Sequence, residues 1–177
     1  MAKFVEFAIA LRNWTTQMTM LQMSQSHIQA MTAVVEQVYP QEGCGLLLGT
    51  RLQVVTIVVD LYPTENAWNP AVAEMIGAGT GKTDRYWIDP AVMFQAMKAA
   101  RSQHLEIVGV YHSHPDHPAI PSECDRRLAW PEYSYIIASV SQSQVVDIQC
   151  WRLNAQHQFE SEMIQVTDPH AKNGIAE

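Results

Sequence analysis

Cysteine is scarce in this chain, clusters of basic residues are absent, and no apolar run is long enough to span a bilayer. The three cysteines, Cys44, Cys124 and Cys150, are odd in number and widely spaced. They offer neither a disulfide framework nor zinc-finger spacing, so a reduced, cytoplasmic protein is expected. With a net charge of −7 and no lysine- or arginine-rich stretch, the chain has no electrostatic footprint for nucleic acid. A locally basic partner patch stays compatible with that total. The segment from Met1 to Leu11 has one early lysine and a short apolar run broken by Glu6. It lacks the hydrophobic core and cleavage site of a signal peptide, and it is too short and polar to cross a membrane. Neither a nucleic-acid nor a membrane partner is expected.

What remains is 177 residues with 47% apolar content, enough for one globular domain with a real core. Residues 1–19 read as an extension outside the fold, 20–166 as the domain and 167–177 as a loose polar tail. Ser24 or Ser26 caps a helix to about Val38, with Ile28, Met31, Val35 and Val38 as its apolar stripe and Pro40 beyond its end. Cys44 to Leu48 reads as a strand, Gly49-Thr50-Arg51 as a turn and Gln53 to Leu61 as the returning strand. Tyr62 to Trp87 reads as one long irregular connection, of the kind that is functional or mobile. Asp89-Pro90 starts a helix to about Gln103, with Met93, Ala96, Met97 and Ala100 inward. A short helix from Ser122 to Trp130 precedes three strands, Tyr133–Val140, Val145–Leu153 and Gln158–Val166. The order predicts an α+β domain: a mixed, largely antiparallel sheet flanked by helices.

One stretch imitates a nucleotide site. Gly77-Ala78-Gly79-Thr80-Gly81-Lys82-Thr83 looks like a phosphate-binding loop, but Ile76 stands where the pattern needs its first glycine, and no strand leads into it. A flexible glycine-rich flap is the better reading.

The chemistry concentrates further on. Leu105 to Tyr111 is a short apolar run rich in β-branched residues, so it reads as a buried strand. At its end, His112 and His114 are two apart and share one face of that strand. Ten residues then separate His114 from Asp125. Three prolines between Pro115 and Pro121 let the connection fold back, and Ser122 is a good helix N-cap, placing Asp125 on the first turn. Two imidazoles and a carboxylate then converge, the donor set of a catalytic zinc with one position open for water. Cys124 is adjacent to Asp125 and diverges from it on a helix. Asp116 and His117 belong to the loop, and His104 and His157 to turns.

The order His112-Ser113-His114-Pro115, then Ser122 and Asp125, resembles the signature of the JAMM metalloproteases, the active MPN+ domains. Their upstream glutamate lies in a Glu-x-x-Gly segment, matched here by Glu42-Gly43-Cys44-Gly45. By local spacing alone Glu42 is an ordinary turn carboxylate. The resemblance covers about residues 20 to 166 and implies an MPN-like, cytidine-deaminase-like fold. It implies that His112, His114 and Asp125 bind Zn²⁺, that Glu42 is the general acid/base and that Ser122 helps hold the oxyanion. The implied reaction is hydrolysis of a peptide or isopeptide bond after the C-terminal Gly-Gly of a ubiquitin-like or sulfur-carrier protein, as in short stand-alone prokaryotic members. Two other readings are a non-catalytic MPN scaffold and a phage-tail or cell-wall peptidase. The complete residue set argues against the first, and the lack of room for a second peptidase domain argues against the other.

Overall fold

The computed structural model describes residues 19–77 and 81–167. The expected N-terminal extension as far as residue 18, the expected tail from residue 168, and residues 78–80 of the glycine-rich stretch lie outside the described residues. Seven strands occur among those described: β1 (Met20–Ser24), β2 (Cys44–Leu52), β3 (Val55–Thr64), β4 (Glu106–Pro115), β5 (Ser134–Ser141), β6 (Gln144–Leu153) and β7 (Phe159–Thr167). Four short helices accompany them: α1 (Gln25–Gln37), α2 (Pro70–Ile76), α3 (Pro90–Ser102) and α4 (Glu123–Leu128). No helix among the described residues is long and apolar enough to cross a membrane.

The strands close into a barrel in the order β1-β3-β2-β4-β5-β6-β7. This corrects the expected helix-flanked α+β sheet: the molecule is mainly a closed mixed β-barrel with few helices. The element responsible is β1, which pairs in parallel with β3 on one side and β7 on the other. Leu21 and Met23 alternate inward along it and are fully buried. Closure satisfies the backbone donors and acceptors that an open sheet would leave bare at its edges.

Successive residues go to opposite faces, and two apolar clusters result. Leu47, Val58, Tyr111, Ile136 and Ala138 belong to one, which draws on every strand and on Met31 and Val35 of α1. Leu46, Leu48, Val110 and Tyr135 face the other way and pack with Ala96 and Ala100 of α3. Burying a Leu or Ile side chain contributes about 1.5–3 kcal/mol, so these two clusters hold the fold.

Local signals set the helix ends. Ser24 caps α1: its hydroxyl accepts the His27 amide at 3.2 Å, while its own N–H donates to His27 Nδ1. Asp89 caps α3 at the Ala91 amide, with Pro90 in the first turn. Two expectations shift. The hairpin turn falls at Gln53, with φ of 52°, and Gly49 sits inside β2 at a bulge. A Cβ there would lie 1.9 Å from the Ile57 carbonyl oxygen, so glycine serves close strand approach, not the turn. The long connection after β3 also contains α2, capped by Asn69 with Pro70 in its first turn and ended by Gly77 in the left-handed conformation.

Candidate metal centre

β2 and β4 are antiparallel neighbours with Cys44 opposite His112. Extending that register brings Glu42 level with His114, on the same face. Ser113 points the other way and ties the segment down: its hydroxyl accepts the Gly43 N–H at 2.8 Å, and its N–H donates to the Gly43 carbonyl at 2.9 Å. The Glu42 N–H donates to the Lys82 carbonyl at 2.6 Å. Glycine is required at 45 because a Cβ there would meet the Tyr111 ring at 2.4 Å.

The expected site residues do come together. His112 Nε2 and His114 Nε2 lie 3.0 Å apart. Asp125 Oδ1 is 3.4 Å from His112 Nε2, and Oδ2 is 3.7 Å from His114 Nε2. One donor atom from each of these residues falls within 4.8 Å of the others. Asp125 reaches this point from the first turn of α4. The Ser122 N–H and hydroxyl both donate to its Oδ2 at 2.6 Å, and Ser122 Oγ accepts the Asp125 N–H at 3.2 Å. This capping box orients the carboxylate.

The connection from His114 to Ser122 is held by three consecutive carbonyls. The His117 carbonyl accepts from Ser139 Oγ at 2.7 Å, that of Pro118 from His114 Nδ1 at 2.9 Å, and that of Ala119 from Trp151 Nε1 at 2.9 Å. The middle bond puts the His114 proton on Nδ1 and leaves the Nε2 lone pair facing His112 and Asp125. The Tyr86 ring stacks on His112, with centroids 4.4 Å apart and planes 24° apart.

Electrostatics separate the groups. Burial pulls the His112 pKa down to about 4, more than the nearby Asp125 charge restores, so the imidazole is neutral at physiological pH. Burial alone would raise the Asp125 carboxyl, but the facing imidazoles and the two hydrogen bonds donated by Ser122 hold it well below the usual carboxylate range. Glu42, only 5% exposed, is pushed up to about 9 by burial and then by the Asp125 charge. Neutral imidazoles and an ionised carboxylate are the protonation states in which these side chains ligate a metal. His112 Nδ1 is buried and meets no hydrogen-bond partner among the described residues. Coordination through both Nε2 atoms would end their mutual contact. The donor set therefore fits a divalent cation such as zinc.

Glu42, His114, Ser122 and Asp125 open onto a cavity of about 830 Å³ whose apolar wall includes Trp87, Phe94, Trp130 and Tyr133. Phe94, Ile120 and Trp130 are more than half exposed at its rim. Cys124 and His117 also line it, whereas His104 and His157 sit at turns with positive φ. Sequence reasoning did not find Tyr86, Ser139 or Trp151. No spacing marks them, because they reach the site through ring stacking or barrel pairing.

Among curated proteins, a desampylase of Haloferax volcanii is 36% identical to the chain over 103 residues, 56% of this chain and 63% of that protein. A probable TtuB-protein conjugate cleaving protease of Thermus thermophilus is 31% identical over 99 residues, 55% of each. The matches thus span less than two thirds of either relative. Two proteins solved in solution share the fold. One, from Desulfitobacterium hafniense, has a TM-score of 0.68 and 27% identity, covering 84% of this chain and 94% of its own. The other, from Salinibacter ruber, has a TM-score of 0.62 and 32% identity, covering 86% and 95%. Residues 24–154, more than half of the sequence, match the family described as prokaryotic homologs of the JAB domain, and the chain belongs to that family.

Proposed function

We propose that the protein is a zinc-dependent hydrolase that cleaves a peptide or isopeptide bond after the C-terminal Gly-Gly of a ubiquitin-like or sulfur-carrier protein. The observation that carries the reading is the convergence of His112, His114 and Asp125 beside a buried Glu42, at one cavity. The names of the two curated relatives, both concerned with protein conjugates, support the substrate class. The cavity also suits a polypeptide, since exposed aromatic and aliphatic groups at a rim favour protein contact.

His112, His114 and Asp125 would hold the zinc. When bound, it would supply a Lewis acid that lowers the pKa of water and polarises the scissile carbonyl. Glu42 would take the proton released by the attacking water and hand it to the leaving amine. Its high proton affinity suits delivery, and beside a bound divalent cation that affinity would fall toward neutrality. Ser122 is proposed to donate its hydroxyl to the developing oxyanion. In this structure that hydrogen points at Asp125 Oδ2, so the hydroxyl must rotate, while the Ser122 N–H keeps hold of the carboxylate.

The test is cleavage of a fusion to a Gly-Gly-terminated sulfur carrier, followed by intact mass, with and without chelator and beside Glu42→Gln. Chelator-sensitive cutting after Gly-Gly that vanishes in Glu42→Gln is expected. A protein that holds one zinc per chain and cuts neither a sulfur-carrier nor a ubiquitin-like fusion would overturn the proposed substrate class.

A further inference from the structure

Asn66 lies just beyond β3, outside every motif of the site. Its side-chain amide has two donor hydrogens and two acceptor lone pairs. All four are used, and all four partners are backbone groups. Nδ2 donates to the Glu42 carbonyl at 3.0 Å and to the Arg85 carbonyl at 2.8 Å. Oδ1 accepts the Trp68 N–H at 3.0 Å and the Trp87 N–H at 3.2 Å. One side chain thus joins three segments remote in sequence: the residue two before β2, the start of the loop after β3, and the stretch leading into α3.

What those segments carry gives the arrangement its meaning. Between the two anchored residues Arg85 and Trp87 lies Tyr86, stacked on His112. Trp87 lines the cavity. Glu42 carries the buried carboxylate. Two backbone bonds complete the frame, from the Glu42 N–H to the Lys82 carbonyl and from the Ala67 N–H to the Trp87 carbonyl at 2.8 Å. Neither joins Glu42 directly to the Arg85–Trp87 stretch; the Asn66 amide does.

We propose that Asn66 is a positioning residue that locks Glu42 and the 85–87 segment into one body over the His112, His114 and Asp125 cluster. It touches no reacting atom. It sets where the carboxylate sits and holds the ring on His112 and the cavity wall in register with it. Among side chains of this size only asparagine can do this, because aspartate has no donor for the two carbonyls and leucine has no polar group at all.

The catalytic arm of the test rests on the proposed cleavage; the exchange arm does not. Asn66→Ala is compared with the wild type for zinc content, for kcat and KM on the Gly-Gly fusion, and for amide hydrogen exchange by peptide. Exchange of the peptide covering residues 82–88 is expected to accelerate by about tenfold or more, with β4 and β5 unchanged, because opening is local. The kcat is expected to fall by about 10², the cost of misplacing a catalytic group by about an ångström, with KM changed by less and one zinc retained per chain. Asn66→Asp keeps both acceptor positions and loses both donors. It is expected to lower kcat equally, and it replaces the alanine variant should that one not fold. Unchanged exchange over 82–88, or acceleration spread equally over β4 and β5, would overturn the proposal. A wild-type protein that cuts nothing would remove the proposed activity and leave the exchange result to decide this inference.

Discussion

The mouth of β2 and the first turn of α4 each present a carboxylate to the same cavity, and they treat it in opposite ways. Glu42 is buried where desolvation dominates, and the negative Asp125 nearby adds to it, so its carboxyl holds a proton up to about pH 9. Asp125 is also largely buried, but Ser122 donates to it twice and the two imidazoles face it. Its carboxyl stays ionised far into acid. The difference comes from backbone placement. A helix N-terminus brings an N–H and a capping hydroxyl to Asp125, whereas at Glu42 burial and the Asp125 charge outweigh the nearby Arg85 cation. On the proposed function, the Glu42 carboxyl would move a proton and that of Asp125 would hold a cation.

Substitutions should break the two halves of this comparison differently. Asp125→Ala should remove the metal. Its loss in affinity should exceed the 10- to 100-fold typical of an outer-shell partner, with zinc stoichiometry falling toward zero by metal analysis and turnover lost with it. Glu42→Gln should keep one zinc per chain and lower kcat on the order of 10² to 10⁴, the range for a general acid/base. Loss of zinc in Glu42→Gln, or retention of zinc in Asp125→Ala, would erase the distinction between the two carboxylates. Ser122→Ala should lower kcat on the order of 10² to 10³ with zinc still bound at stoichiometric loading. A zinc-free Ser122→Ala protein would make the serine a support of Asp125 alone.

The weakest expected effect is a pH dependence of stability that Glu42 and Asp125 do not share. In chelator-treated protein Glu42 titrates near 9, against 4.5 for its ordinary value. Folding takes up a proton between those values, so stability from this group is complete below pH 4.5 and is lost as pH rises through 9. His112 runs the other way: lowered to about 4 from 6.5, it makes stability rise with pH over that interval. Asp125, lowered from 3.8, acts only in more acid solution. From pH 6.5 to 9 the Glu42 contribution is therefore unopposed by these groups. Urea-denaturation stability of metal-free protein should fall with pH there, by up to about 1.4 kcal/mol per unit. Glu42→Gln should flatten that slope.

Much of the candidate centre's geometry was legible because its parts are local. Two histidines at a spacing of two share a strand face wherever that strand sits, and Ser122 caps a helix whatever surrounds it. Glu42 was named only through family resemblance, since its place level with His114 rests on the β2–β4 pairing, which spans the intervening hairpin, α2 and α3. The barrel was not legible. Leu21 and Met23 alternate as a strand requires, but five residues among scattered methionines do not announce a parallel partner at β3 and another at β7. Helix α2 has a start signal like that of Asp89-Pro90, with Asn69 before Pro70 and Gly77 at its end, but it is short and runs into the glycine-rich stretch. Asn66, Ser139 and Trp151 carry no sequence mark, because each acts on backbone carbonyls or amides contributed by remote segments.

Local signals set the strand that aligns His112 with His114, the prolines that turn the chain back, the cap that presents Asp125, and thus the donor set of the candidate centre. Folding is needed for the sheet to close, for Glu42 to be buried level with His114, and for one asparagine to span three segments. The divide is one of range. Spacing, capping and turn propensity are fixed by neighbours along the chain, while burial, register across a closed barrel and the field at a carboxylate depend on residues that only folding brings near.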